Sequence, residues 1–332
     1  MEFQLPIQVK PVKEQVHYRG PVMLTGSCFT EHIGNRLQDA KFRVMQNPNG
    51  ILFDPASVTA SLESYVDNPP CTEGDLFFLN ELWQSWQHHG VYSNTDQQAC
   101  LQHINHTRNA AHNFLKTATH LIVTLGSSFS YRLHAQPELG SFGGPVANCH
   151  RAPQQWFHKH LMEIDETTGL LENCIRKLLR YNPGLTFIFT VSPVRHIRDG
   201  VVDNNRSKAR LIESVHRLAA TFDQVYYFPA YELVIDVLRD YRFFDIDMVH
   251  PNYPATEFVM EHFVNACIRE EERPVMEQVK KMVMAARHRS LQPSTNAHRQ
   301  FLEAHHRKTL ELVDRYPFLD MAEELKYFKQ SS

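Results

Sequence analysis

The stretch VMLTGSCFTEHIGNRLQD (residues 22–39) decides the fold. Its opening residues, Val22 to Thr25, are apolar or β-branched and read as a short buried strand. That strand stops at Gly26-Ser27, and Phe29, Ile33 and Leu37 then recur at the four-residue spacing of one helix face. The same alternation runs on down the chain. Residues 42–45 are a predicted second strand closed by Asn47-Pro48-Asn49-Gly50, and Pro55 stands where a helix can begin and run through residue 65. Residues 120–125 (HLIVTL) are the central predicted strand, with 186–191 (TFIFTV) and 225–228 completing a set of five. Further helices are predicted over residues 97–117, 154–179, 205–221 and 230–238. Residues 76–91 suggest a hairpin or an irregular lid inside an insertion at about 68–95, and residues 130–153 a long loop carrying glycine and proline.

Five strands separated by helices predict an α/β fold: a parallel five-stranded sheet in a three-layer α/β/α sandwich. Right-handed crossovers bring the loops after each strand to one edge of such a sheet, and ligands bind outside that carboxyl edge. The loops at Gly26, Gly50, Gly126 and Ser192 therefore carry the candidate site. Past Cys267 the chain becomes charge-rich with helical periodicity. This divides it into a main domain, residues 1–269, and a helical C-terminal extension, residues 270–332, that either wraps the main domain or serves as an arm for homo-oligomer formation.

Composition narrows the function classes. The 332 residues are 42% hydrophobic and 11% aromatic, enough for a sizeable core. A net charge of -3 argues against a general nucleic-acid binder. The first residues, MEFQLPIQVKPVKEQ, lack the pattern of a secretory signal, and no apolar run approaches the roughly 18 residues of a membrane span. Six cysteines without CxxC spacing fit a reduced, cytoplasmic setting better than a disulfide framework. Twenty histidines invite a metal, yet His103/His106 and His305/His306 lack a third ligand at recognisable spacing and no HExxH occurs. No metal or organic cofactor is expected.

Ser27 stands where a strand meets a helix, after a glycine that permits a tight turn and close approach of a substrate. The simplest alternative is a helix-capping serine. Far along the chain, Asp247 and His250 lie three residues apart, close enough for the carboxylate to orient the imidazole as a general base. Asp245 is a rival orienter at longer spacing. Cys28 is a rival nucleophile, but at the start of a helix a small buried thiol is the commoner role. The neighbouring pair Cys149/His150 fits a loop lining the pocket. Arg195 and His196, after the fourth strand, sit at the active edge, where Arg195 would hold an anionic substrate group or make a structural ion pair. Trp83, Trp86 and Trp156 suit stacking on sugar rings or ordinary aromatic packing.

The segment Leu24-Thr25-Gly26-Ser27-Cys28-Phe29-Thr30 resembles the signature of the GSCFA family, a branch of the SGNH/GDSL hydrolase superfamily. So do Asn47-Pro48-Asn49-Gly50, Thr124-Leu125-Gly126-Ser127, Asn148-Cys149-His150, residues 190–195 (TVSPVR) and residues 247–251 (DMVHP). Thr30 replaces the alanine of the family name, away from the reactive position. The resemblance implies a flavodoxin-like SGNH sheet, Ser27 as nucleophile and Asp247/His250 as the DxxH pair. It also implies an oxyanion hole of three donors: the Ser27 backbone, a glycine after the second strand, matched by Gly50, and an asparagine after the third. No asparagine stands at that last place, so Ser128, through its hydroxyl, or Asn148, reaching in from the long loop, is the substitute. Asn47, Gly126, Ser127, His150, Arg195 and His196 are the candidate substrate-binding residues.

The expected chemistry is hydrolysis of a carboxylic ester, of an acylated carbohydrate, a lipid or a small molecule, through an acyl-enzyme on Ser27. Acyl transfer to a sugar or lipid hydroxyl by the same triad is a close variant. A non-catalytic carbohydrate- or ligand-binding module on the same architecture is the competing class.

Overall fold

The computed structural model describes residues 5–134, 142–288 and 290–330. Strand β1 (Val22–Gly26) runs into helix α1 (Phe29–Asp39), and β2 (Val44–Gln46) leads to α2 (Pro55–Asp67). A hairpin of β3 (Phe77–Leu79) and β4 (Leu82–Gln84) precedes α3 (Gln97–Thr117) and β5 (His120–Leu125). Next come β6 (Phe129–Leu133), β7 (Phe157–Leu161), α4 (Ile164–Tyr181), β8 (Thr186–Val191), α5 (Gly200–Thr221) and β9 (Val225–Tyr227). A short α6 (Ala230–Glu232) continues as a wider π-type turn over Leu233–Leu238, and α7 (Tyr253–Cys267) closes the main unit.

The central sheet has five strands in the order β2-β1-β5-β8-β9, each pair parallel. The strand order reverses at β1, so the loops leaving β1 and β5 part to opposite faces and open a crevice at the carboxyl edge. Both faces are covered. Val22, Leu24, Ile122 and Ile188 join a core with α1 and α7, whereas Met23, Leu121, Val123, Phe187 and Phe189 join a second core with α2 to α5. Burial on both sides is why these strands read as continuous apolar runs rather than as alternating ones.

Three local expectations need correction. The second strand covers 44–46, not 42–45: the amide of Phe42 closes α1 by donating to Leu37 O (2.9 Å), and its ring stacks on Tyr18 (centroids 4.0 Å apart). The helix expected from residue 154 begins at Ile164, because residues 157–161 pair antiparallel with β6 inside the supposed loop 130–153. FSYRL and FHKHL are half-exposed strands whose partners lie far apart in the chain, so neither has the apolar run of a core strand. Residues 135–141 of that loop lie outside the described residues. Helix α5 starts at Gly200 rather than 205.

Helices α8 (Arg273–Arg287), α9 (Asn296–Arg315) and α10 (Ala322–Gln330) wrap the α1 face. Val279, Met282, Val283 and Leu312 enter the same core as Phe29 and Leu37. Lys41 pairs with the buried Glu324 at 2.8 Å, and Arg287 pairs with Asp39. Among the described residues, no helix is long and apolar enough to cross a membrane.

Candidate functional site

The end of β1 is fixed by what its backbone can tolerate. Gly26 has φ +137°, and a Cβ there would lie 2.1 Å from Thr124 O, so the position accepts only glycine. Its N–H donates to Asn47 Oδ1 at 3.0 Å, and the next amide, of Ser27, donates to Thr124 O at 3.0 Å. The ladder thus carries Ser27 to the carboxyl edge of the sheet. Ser27 is not a capping residue: Cys28 holds the N-cap position and no side chain caps α1. The Ser27 hydroxyl is buried and makes no hydrogen bond among the described residues. A buried hydroxyl left in that state costs about 1–3 kcal/mol, and those of Thr25, Thr30 and Thr124 are buried and unpartnered as well.

Gly126 shapes the space beside it. The point where a Cβ on Gly126 would sit is 3.2 Å from Ser27 Cβ, 3.3 Å from His196 Nε2 and 3.3 Å from Phe53 Cδ1. With no side chain on Gly126, the nucleophile candidate, an imidazole and an aromatic edge close tightly around its Cα. Phe53 and His196 meet edge to face, with ring centroids 5.3 Å apart. The carbonyl of Phe53 accepts both the Gly126 and the Ser127 amides (2.8 and 3.0 Å), fixing this wall to the end of β5.

Asp247 and His250 come together as expected. Asp247 Oδ2 lies 2.6 Å from His250 Nδ1, while Oδ1 accepts the amides of Val249 (2.9 Å) and His250 (3.0 Å). The His250 hydrogen bond, with these amides behind it, holds the Asp247 carboxyl down at about 2. With Nδ1 bonded to a carboxylate, Nε2 is left as the lone-pair nitrogen. Both side chains are near half-exposed, 45% and 47%, so the pair is open to a ligand. Asp245 meets His250 through its backbone amide, which donates to His250 O at 2.8 Å. Met248 takes a left-handed conformation (φ 57°) that lets the loop turn back on itself.

The loop is braced by Arg195. Its Nη1 donates to Met248 O (2.9 Å), its amide donates to Val249 O (3.3 Å), and its guanidinium lies 3.9 Å from the Phe244 ring centre. Arg195 thus holds the Asp247/His250 loop, and it forms no ion pair among the described residues. No hydrogen bond joins His250 to Ser27 in this conformation. Hydrogen bonds of this kind are often long before a substrate binds.

Three of the four expected oxyanion donors, at Ser27, Gly50 and Ser128, make other hydrogen bonds. The Ser27 amide is held by Thr124 O, and the Gly50 amide closes its own turn onto Asn47 O (2.7 Å). Ser128 faces α5: its amide donates to Ser207 Oγ (2.7 Å) and its hydroxyl to Ser207 O (3.2 Å). Asn148 Oδ1 accepts the His150 amide (2.8 Å), a turn within its own loop. Ser127 also turns toward Ser207 (3.2 Å), and His150 Nε2 meets Ser85 O (2.8 Å) beside Trp86. Asn47 keeps an unpartnered, buried Nδ2.

Two residues were not anticipated, Phe53 and Lys208. Lys208 is fully buried; its Nζ donates to Gly126 O and Ser192 O, each at 2.6 Å, and ties the ends of β5 and β8 together. Burial pushes its ammonium down to about 7. A signal existed: Asn204, Ser207, Lys208 and Leu211 form an inward stripe on α5, and a lysine at that position is out of place. Burial, with Lys208 next in effect, pushes the His196 imidazole down to about 4, so it is neutral near pH 7. Burial and Glu31 raise the Cys28 thiol, and burial pushes that of Cys149 up to about 11, which leaves both thiols protonated.

No curated protein matches this chain. Residues 279–331 match the GSCFA domain protein, C-terminal domain, which corresponds to the wrapping helices. Residues 21–263 match the GSCFA family, from β1 through most of α7, and the chain belongs to that family.

Proposed function

We propose that this protein is a serine hydrolase of carboxylic esters, an SGNH-type variant of the flavodoxin-like sheet, with Ser27 as nucleophile and His250/Asp247 as base and orienter. The observation that carries the proposal is the imidazole of His250, whose Nδ1 is held by a carboxylate at 2.6 Å, in a chain that also presents a buried, unpartnered hydroxyl at the end of β1. Ser27 Oγ attacks the ester carbonyl and its proton passes to His250 Nε2; the same proton then goes to the departing alcohol. Water, activated by His250, releases the acid and restores Ser27. The substrate class is a small ester or an acylated glycan or lipid, and a sugar hydroxyl intercepting the acyl-enzyme turns hydrolysis into transfer. Six free thiols suit a reducing, cytoplasmic setting.

One observation favours a non-catalytic ligand-binding module instead: Ser27 and His250 are not hydrogen-bonded. A fluorophosphonate separates the two. Labelling of the wild type, retained in Cys28→Ala and abolished in Ser27→Ala, is the expected result. A folded wild type that takes no label leaves only the binding module, and loss confined to Cys28→Ala makes the nucleophile a thiol.

A further inference from the structure

Resting on the hydrolase reading, we propose that the carboxyl edge around Asp247 and His250 docks on a neutral lipid surface, so that the ester reaching Ser27 is one carried in lipid. The distribution of exposed apolar side chains carries the assignment. Single apolar residues scattered over a surface are ordinary, whereas a cluster marks an interaction site. Among the described residues, six of the fifteen large apolar side chains left exposed lie on two connections at this edge. Ile197, Val201 and Val202 follow β8, and Tyr241, Ile246 and Met248 lie between the π-type turn and α7. Arg195 joins the two connections. Its amide donates to Val249 O, its Nη1 donates to Met248 O, and its guanidinium lies 5.3 Å from the Tyr241 ring centre.

The loop that carries His250 is built to leave water. The Asp245 amide donates to His250 O (2.8 Å) and the Met248 amide to Asp245 O (2.9 Å), which closes residues 245–250 into a tight turn. At its tip Ile246 is 99% exposed. Asp247 stands between Ile246 and Met248, yet both its oxygens are taken up, by the amides of Val249 and His250 and by His250 Nδ1. A charge that is paired and hydrogen-bonded costs far less to desolvate than a free one. A turn already fixed also loses little freedom on docking. The charge balance selects the occupant. Residues 192–202 and 239–252 carry four arginines and four aspartates, so no net charge draws a strongly charged partner to this edge. A protein seated there would close the approach to Ser27 and His250, whereas a lipid surface brings the ester with it. Docking of this kind scales with the apolar area buried and with attraction to anionic lipid, and here the apolar part acts alone.

The test is co-sedimentation with phosphatidylcholine vesicles. Ile246→Ser and Val202→Ser are compared with Leu291→Ser, which removes a side chain as exposed (95%) beyond the end of α8 that Arg287 pins to Asp39 at the far end of α1. The wild type is expected to partition onto the vesicles, and each edge variant to bind about tenfold more weakly, the scale of one aliphatic side chain returned to water. Leu291→Ser stays within twofold of wild type. A wild type left in the supernatant, or both edge variants within twofold of it, overturns the proposal. Sedimentation that requires phosphatidylserine overturns it too, since charge elsewhere on the molecule then does the binding. A wild-type dimer that Ile246→Ser dissociates makes the edge a self-contact and overturns it as well. Sedimentation is also read on Ser27→Ala, where it is expected to match wild type. A protein that takes a fluorophosphonate but no vesicles keeps the hydrolase reading and loses the docking surface. One that takes vesicles but no fluorophosphonate keeps the surface and loses both the hydrolase reading and the ester substrate.

Discussion

Replacing Gly126 by alanine separates folding from chemistry more cleanly than removing a reactive group. The glycine is not in a left-handed conformation, so alanine meets no backbone strain there. Its Cβ would contact Ser27 Cβ at 3.2 Å, His196 Nε2 at 3.3 Å and Phe53 Cδ1 at 3.3 Å, all tighter than ordinary packing by a few tenths of an ångström. Two of the three neighbours are side chains that can tilt toward solvent. The folding cost should fall near the low end of the overpacking range, about 1 kcal/mol. Reduced freedom of the unfolded chain offsets roughly 0.4–1 kcal/mol of that, leaving the midpoint of thermal unfolding within a few degrees of wild type. The new methyl presses on Ser27 and His196 at the place where the hydrolase reading puts the ester, and reactivity should fall by about 100-fold or more. Thermal unfolding followed by circular dichroism, together with the rate of fluorophosphonate labelling, reads both quantities on one preparation. Gly26→Ala is the contrast: with φ +137° and a backbone oxygen 2.1 Å from the new Cβ, it should fail to fold. Labelling of Gly126→Ala within threefold of wild type, at unchanged stability, would refute the placing of the reacting ester beside Gly126.

Lys208 supplies a pH test of stability. Its folded pKa, about 7, lies below the roughly 10.4 of an unfolded lysine, so the unfolded chain holds more protons between those values and stability rises with pH across that window. Urea unfolding at pH 7 and pH 9 should show a gain of about 2 kcal/mol that Lys208→Met lacks; equal slopes for the two proteins would mean the ammonium is not strained by burial. Arg195→Leu removes the brace on the Asp247/His250 loop, both the bond to Met248 O and the stacking on Phe244. Amide hydrogen exchange over residues 245–250 should accelerate, and kcat should drop about tenfold or more as the base loses its fixed position. Unchanged exchange would show that the loop holds itself.

The sequence was most legible where one short segment carries its own pattern. HLIVTL and TFIFTV have no helical periodicity and are bounded by turn residues, so they read as buried strands. The Asp247/His250 contact was legible for the same reason, since a three-residue spacing within a loop leaves little freedom. The β6/β7 hairpin was not, because its strands are short, half-exposed and separated by a long connection. A backbone amide shows nothing in sequence of whether a carbonyl already holds it. Gly50 looks free as a letter and is closed onto Asn47 in space.

By itself, then, the order of residues determined the layered sheet, the placing of Ser27 at a strand end and the pairing of Asp247 with His250. All three depend on near neighbours in the chain and on hydrophobic periodicity. Only the tertiary structure showed that Phe53 and Lys208 join Gly126 and His196 at that edge. Those residues come from four separate segments, and their roles rest on distances across the sheet edge and on a desolvation that no local pattern records.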